Sequence, residues 1–165
     1  MKNTARRALS RLNEEEGFTL IELMVVLVNM AILIALSTVA FTGTMSRARD
    51  SAAQHGAVRG IETGRIVYSD HASYTTATAP VLTAAEPNLT FVASGVASSG
   101  ANNLSVDNSD ATGATLIIAS WSPAGNCFYI RDTVANGVTY AKALASSQAN
   151  CRAGNYGSVT FGPRW

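Results

Sequence analysis

The chain has 165 residues and a formal net charge of +1, and charged residues make up 14% of it, against roughly a quarter in ordinary soluble domains. This length allows one domain and a short extension, and the near-neutral charge offers no general attraction to nucleic acid. With 47% apolar residues and 2 cysteines, the chain is neither disordered nor a disulfide-dense miniprotein. The composition also argues against a polybasic nucleic-acid binder and a multidomain enzyme.

A charged leader occupies residues 1–17. Its basic residues come first and its glutamates last: Lys2, Arg6, Arg7, Arg11, Glu14, Glu15 and Glu16. Positive charge before an apolar segment favours a cytoplasmic N-terminus, so we expect the rest of the chain to lie beyond the membrane. Arg47 and Arg49, on the far side of that segment, oppose this orientation more weakly because they are fewer.

An uncharged apolar segment follows at residues 23–41. As a helix it would extend about 28 Å at roughly 1.5 Å per residue, close to the thickness of the hydrocarbon core of a bilayer. A cleaved secretory signal ending near Ala40 is the alternative, but the apolar region of such a signal is only about 7–15 residues long. The sequence therefore predicts a single membrane-spanning helix.

Glu22 is a carboxylate at the start of this segment. Its insertion into a membrane would cost roughly 2.5–3.5 kcal/mol. It is therefore either hydrated in the headgroup layer or neutralised by a cation, and the sequence supplies no basic side chain nearby. Cleavage after Gly17 would create a cation, the amino group of Phe18, which precedes Glu22 by one turn of a helix. The same amine could come from another copy of the chain.

Residues 17–22 read GFTLIE and stand between a basic leader and a charge-free helix. This combination resembles the class III leader and mature N-terminus of type IV pilins and pseudopilins. The resemblance implies that prepilin peptidase cleaves between Gly17 and Phe18 and then N-methylates Phe18. It also implies that Glu22 pairs with the Phe18 amine of an adjacent subunit as a filament grows. The implied partners are further copies of the chain, prepilin peptidase, the pilus assembly machinery and, before assembly, the membrane; no cofactor is implied.

The helical pattern continues beyond the membrane segment to about Asp70, since no proline occurs before Pro80. Small and apolar residues recur on one face of this stretch: Ala53, Ala57, Ile61, Gly64 and Tyr68. Small side chains let a sheet approach the helix closely, so we expect this face to pack on the head. The arginines of the stretch lie mostly on other faces and are typical of a solvated surface, which leaves DNA undecided as a partner.

The remainder of the chain is predicted to form a small β-sheet head. Residues 72–103 are rich in Thr, Ala, Ser, Gly and Pro and are predicted to be mostly loop with short strands. Strands are predicted at 89–93, 104–107, 115–120, 127–132 and 138–142. Asn136-Gly137 predicts a hairpin with a type I′ turn, in which both central residues have positive φ. Consecutive strands with short connections predict an antiparallel sheet on the long helix, an α+β fold like that of pilins.

Cys127 and Cys151 are the two cysteines. They are either a disulfide or two buried thiols, and an even pair outside the membrane, in an oxidising space, favours the disulfide. The resemblance to type IV pilins implies further that the pair brackets a surface-exposed region, here 128–150.

No catalytic constellation stands out, and His55 and His71 have no cysteine nearby with which to hold zinc. We expect a leader at 1–17 that is removed, a transmembrane and polymerisation helix at 18–45, and an extracellular head at 46–165. The expected function is that of a structural subunit and not an enzyme. It is a type IV pilin that passes from the cytoplasmic membrane into a surface filament for adhesion, motility or DNA uptake. The alternatives are a pseudopilin of type II secretion or of a competence system, and a membrane-anchored secreted enzyme, which no motif supports.

Overall fold

A computed structural model describes residues 17–145 and 147–165, so the predicted leader at 1–16 lies outside the described residues. The helices are α1 at Leu20–His71 and α2 at Ala79–Ala85, and the strands are β1 at Thr90–Ala93, β2 at Asn103–Asp107, β3 at Thr115–Ser122, β4 at Asn126–Thr133 and β5 at Gly137–Leu144. Short 3-10 turns lie at Tyr74–Thr76, Gln148–Asn150 and Ala153–Ser158. The chain divides into two compact units between Thr42 and Gly43.

The long helix predicted from the sequence is confirmed by α1, which has 52 residues. It ends where Ala72 adopts a left-handed conformation with φ of 51°. The amide of Ala72 donates to the carbonyl oxygen of Tyr68 at 2.7 Å, which closes the last turn. The helix then gives way to the loops and strands of the second unit.

The sheet has the strand order β1-β2-β3-β4-β5. The prediction of antiparallel pairing is confirmed for β2 to β5 and is wrong for β1 and β2, which run parallel, with Thr90 opposite Asn103. The connection at 94–102 carries the chain back to the starting end of β1 before β2 begins. Such a crossover leaves no local signal of strand direction, because the pairing depends on where the loop returns.

The β4–β5 hairpin lies where Asn136-Gly137 predicted it, but the predicted type I′ turn is wrong. Thr133 pairs with Gly137, so the loop holds the residues 134–136. Gly137 has φ of +70°, whereas Asn136 is not in the left-handed region. A loop of this length that ends in a left-handed glycine is the common alternative to the two-residue turn.

The region 72–103 is more ordered than predicted, because it contains α2. Pro80 stands in the first turn of that helix. The first turn is where the missing amide of proline costs nothing and its fixed φ favours helix. From the sequence alone, Pro80 indicated a limit for the long helix and a loop after it, so α2 was not predicted. Leu82 of α2 is fully buried in the core.

The helix packs on the sheet through glycines. A Cβ atom at Gly56 would overlap the backbone carbonyl oxygen of Ala101, and one at Gly60 would lie 2.8 Å from side-chain carbons of Leu104 and Ile118. Gly64 likewise leaves room for a leucine of β3. The predicted face contributes Ala53, Ala57 and Ile61, all buried. Close approach of the helix backbone therefore brings Leu104, Leu116 and Ile118 of the sheet directly against α1.

A disulfide joins Cys127 of β4 to Cys151, and both cysteines are buried. The resemblance implied that the bracketed region 128–150 is exposed at the surface. This is wrong for its first part, because Phe128, Tyr129 and Ile130 are core residues. The bond holds the C-terminal segment against the face of the sheet opposite α1. Two hydrogen bonds assist it: Ser105 Oγ accepts from the amide of Ala153 at 2.9 Å, and the amide of Ser98 donates to the carbonyl of Cys151 at 2.9 Å.

Candidate processing and assembly site

The N-terminus of α1 is built by Thr19 and Glu22. Thr19 immediately precedes the helix, and its amide and hydroxyl donate to Glu22 Oε2 at 2.9 and 2.7 Å. In return, the amide of Glu22 donates to Thr19 Oγ1 at 3.3 Å. These reciprocal bonds form a capping box, which satisfies amides that the first turn of a helix leaves without partners. The same carboxylate that was predicted to assemble subunits therefore also starts the helix.

Gly17 and Phe18 precede the helix. The sequence analysis placed Phe18 one helical turn before Glu22, but the helix begins only at Leu20, with Thr19 as its cap. Phe18 is 83% exposed, and a Cβ atom on Gly17 would meet no described atom within 4 Å. A peptidase could therefore reach the bond between them without unwinding α1.

The Glu22 carboxylate has one oxygen engaged and one open. Both donations from Thr19 go to Oε2, and no described residue donates to Oε1. Glu22 itself is exposed. The capping box therefore orients the side chain and leaves an acceptor free for a group from outside the helix.

The apolar segment of α1 exposes its large side chains all the way round. The described residues with large exposed apolar side chains between positions 20 and 41 are Leu20, Ile21, Leu23, Met24, Val25, Val26, Leu27, Val28, Met30, Ile32, Leu33, Ile34, Leu36 and Phe41. Two polar side chains satisfy themselves within the helix: Ser37 Oγ donates to the carbonyl of Leu33 at 2.6 Å and Thr38 Oγ1 to that of Ile34 at 2.7 Å. By length and composition, α1 can cross a membrane. A helix that is apolar on every side needs lipid or other apolar helices around it.

Within residues 17–145 and 147–165, no group of three or more His, Cys, Asp or Glu side chains is placed to hold a metal ion. The exposed groups of the site are instead the Phe18 side chain, the Glu22 carboxylate and the apolar surface of α1. This arrangement suits processing and helix-to-helix assembly.

Among protein-family models, the one for the prokaryotic N-terminal methylation motif matches residues 12–38. The chain carries this motif. The match covers Gly17, Phe18, Glu22 and most of the apolar segment, and it supports the resemblance to type IV pilins and pseudopilins. A motif of this kind implies processing by prepilin peptidase and handling by a pilus assembly machinery, and it marks structural proteins, not catalysts. No curated protein and no solved structure matches the chain.

Thr19 is the residue of this site whose role the sequence analysis missed. The signal was present, because Thr19 and Glu22 have the T-x-x-E spacing of a capping box just before an apolar run. Glu22 can therefore serve both as part of the helix cap and as an acceptor for a group outside the helix.

Proposed function

We propose that the chain is the structural subunit of a type IV pilus, released from its leader between Gly17 and Phe18 and assembled into a helical surface filament. The observation that carries this proposal is the methylation motif on a helix whose apolar surface is exposed all round. Such a surface is covered by lipid while the subunit waits in the membrane. In the filament it is covered by the same helix of other subunits, so extraction never exposes it to water.

Glu22 sets the axial position of one subunit on the next in this proposal. Cleavage frees the positively charged amine of Phe18, prepilin peptidase then methylates it, and the open Oε1 of Glu22 in a neighbouring copy accepts a hydrogen bond from it. An uncompensated carboxylate among apolar helices is costly, so the pair forms in one register and excludes others. The contact joins different surfaces of the two subunits and does not close on itself, which produces a helical polymer.

Two substitutions at one position separate the local role of Glu22 from its role between subunits. Glutamine replaces glutamate in capping boxes, so Glu22→Gln keeps the start of α1 but removes the charge. We expect Glu22→Gln and Glu22→Ala both to abolish or severely reduce sheared surface filaments, with the subunit still present in the membrane. Wild-type filaments should contain a subunit that begins at N-methylated Phe18, as read by mass spectrometry. Normal filament yield from Glu22→Gln would overturn the proposed role of this charge.

The alternative role, a type II secretion or competence pseudopilin, shares the same processing and the same helix. The Cys127–Cys151 disulfide supports the pilin. Electron microscopy of intact cells distinguishes the two: a pilin gives long surface fibres that contain this chain as their main component, whereas a pseudopilin remains in the cell envelope.

A further inference from the structure

One end of the second compact unit combines basic and apolar side chains. The chain enters this unit at Gly43, directly after the apolar segment, so this end of the unit is the one that the chain joins to that segment. We call it the basal surface and define it by Arg47, Arg49, Lys142 and Leu144. All four residues are exposed.

Arg47 and Arg49 make no ion pair with any described residue, whereas three other basic side chains are paired with carboxylates: Arg59, Arg65 and Lys142. Arg47 lies three residues before Asp50 and therefore on the same side of α1. Arg49 immediately precedes Asp50 and lies to one side of it. Nothing in the proposed filament contact at Glu22 uses either arginine.

Asp50 brings the end of the sheet to the same level as these arginines. Its carboxylate accepts from Ser122 Oγ at 2.6 Å and from Asn126 Nδ2 at 2.8 and 3.0 Å. Lys142 Nζ lies 3.8 Å from it. Asp50 is the acidic residue at this end, and its carboxylate is already hydrogen-bonded to Ser122 and Asn126 and paired with Lys142. The basal surface therefore keeps a net positive charge.

Leu144 adds an apolar contact at the same end. It pairs with Asn126 as the last residue of β5, which is an edge strand, and its side chain is 87% exposed. An isolated exposed leucine is ordinary, but this one pairs with Asn126, which donates to Asp50 on the same stretch of α1 as the two arginines. Basic side chains around an apolar one are typical of surfaces that dock at the headgroup layer.

We propose that the basal surface docks the head on an anionic bilayer surface while the subunit is anchored by α1. Arg47 and Arg49 contact lipid phosphates, and Leu144 reaches the boundary between headgroups and acyl chains. A basic side chain near an anionic membrane contributes about a fivefold bias. Two free arginines therefore shift the docked population by more than tenfold. The proposal requires only that α1 spans a bilayer, and it holds whether or not the chain builds a pilus.

The test uses the full chain reconstituted at one copy per lipid nanodisc. Hydrogen exchange of the amides at 124–125 and 142–145 is compared in discs of phosphatidylcholine alone and in discs with about one-third phosphatidylglycerol. We expect these amides to exchange roughly tenfold more slowly in the anionic discs at low salt, and the difference to disappear at high salt because exposed charges are then screened.

Variants identify the side chains responsible. Arg47→Gln with Arg49→Gln should remove the protection, and Leu144→Ser should weaken it. Arg59→Gln is the matched control, since it lies about 18 Å further along the same helix at roughly 1.5 Å per residue, and it should change nothing. Unchanged exchange of the buried β3 amides shows that each variant is folded.

Equal exchange in the two kinds of disc would overturn the proposal. Protection that appears only with two copies per disc would also overturn it, by assigning the basal surface to a second copy of the chain. Since the unprocessed chain is used, failure here is independent of failure to form filaments.

Discussion

Arg65 of α1 donates two hydrogen bonds to Asp132 of β4, through Nε at 2.6 Å and Nη2 at 3.2 Å, although 67 residues of sequence separate them. The Tyr74 hydroxyl donates to the same carboxylate at 2.7 Å. Burial favours the protonated form of Asp132, but the hydrogen bonds from Arg65 and Tyr74, with the arginine charge, hold its pKa below its ordinary value. Burial and the bond to Asp132 raise the pKa of Tyr74. One carboxylate thus ties the end of the helix, the loop after it and the sheet together.

We expect Asp132→Asn to lower the free energy of unfolding by about 1–3 kcal/mol at pH 7, because hydrogen bonds to a charged group are lost. The pKa of Asp132 is lowered on folding, so its contribution is present above the ordinary pKa of 3.8 and is lost as the pH falls through the folded-state value. The difference between wild type and variant should therefore shrink towards pH 2. Urea unfolding of the chain in detergent, followed by tryptophan near-UV signals, measures it. Asp70→Asn, at an exposed carboxylate, is the control, and an undiminished difference at low pH would contradict the argument.

The glycines of α1 predict opposite effects of one substitution at two positions. Gly56→Ala should destabilise the head by roughly 1–3 kcal/mol, because the new methyl group would overlap the carbonyl of Ala101 and force the helix away from it. Gly43→Ala meets no described atom within 4 Å and should be neutral or stabilising by up to about 1 kcal/mol through helix propensity. Thermal unfolding of the two variants side by side decides the matter; equal effects would rule out close packing as the cause.

Removal of the disulfide should weaken the head without changing its sheet. For the double variant Cys127→Ala with Cys151→Ala, we expect a loss of about 2–5 kcal/mol, since the bond restricts the unfolded chain. The wild-type urea midpoint should fall on addition of a reductant, whereas that of the double variant should not move. A wild-type urea midpoint that does not change when the disulfide is completely reduced would contradict a stabilising role for the bond.

We expect Gly17→Val to block removal of the leader, because the resemblance implies cleavage directly after this glycine. The fold should stay intact, because a side chain at position 17 would meet no described atom within 4 Å. The expected result is a full-length chain in the membrane fraction and no filaments, read by mass spectrometry of the intact subunit. Gly43→Ala, a second substitution at an unpacked glycine, is the control and should be processed normally. A subunit of Gly17→Val that still begins at Phe18 would show that this glycine is not needed for cleavage.

Local patterns in the sequence were sufficient for the long helix, for the approximate limits of all five strands and for the motif at residues 17–22. These features depend on residues close together in the chain: an uninterrupted apolar run, alternating β-branched residues and a carboxylate three residues after a threonine. The pairing of Cys127 with Cys151 was also accessible, since only one pair can form.

Only the tertiary structure showed that β1 runs parallel to β2, that Gly56 and Gly60 lie against the sheet, and that Asp50 and Asp132 hold distant strands to α1. Each of these facts concerns residues far apart in sequence, and loop closure and packing decide which of many compatible contacts is made. The sequence by itself therefore determined the N-terminal methylation motif and the apolar helix that can cross a membrane, because both are contained in one short segment. The shape of the head was decided by contacts that no local pattern encodes.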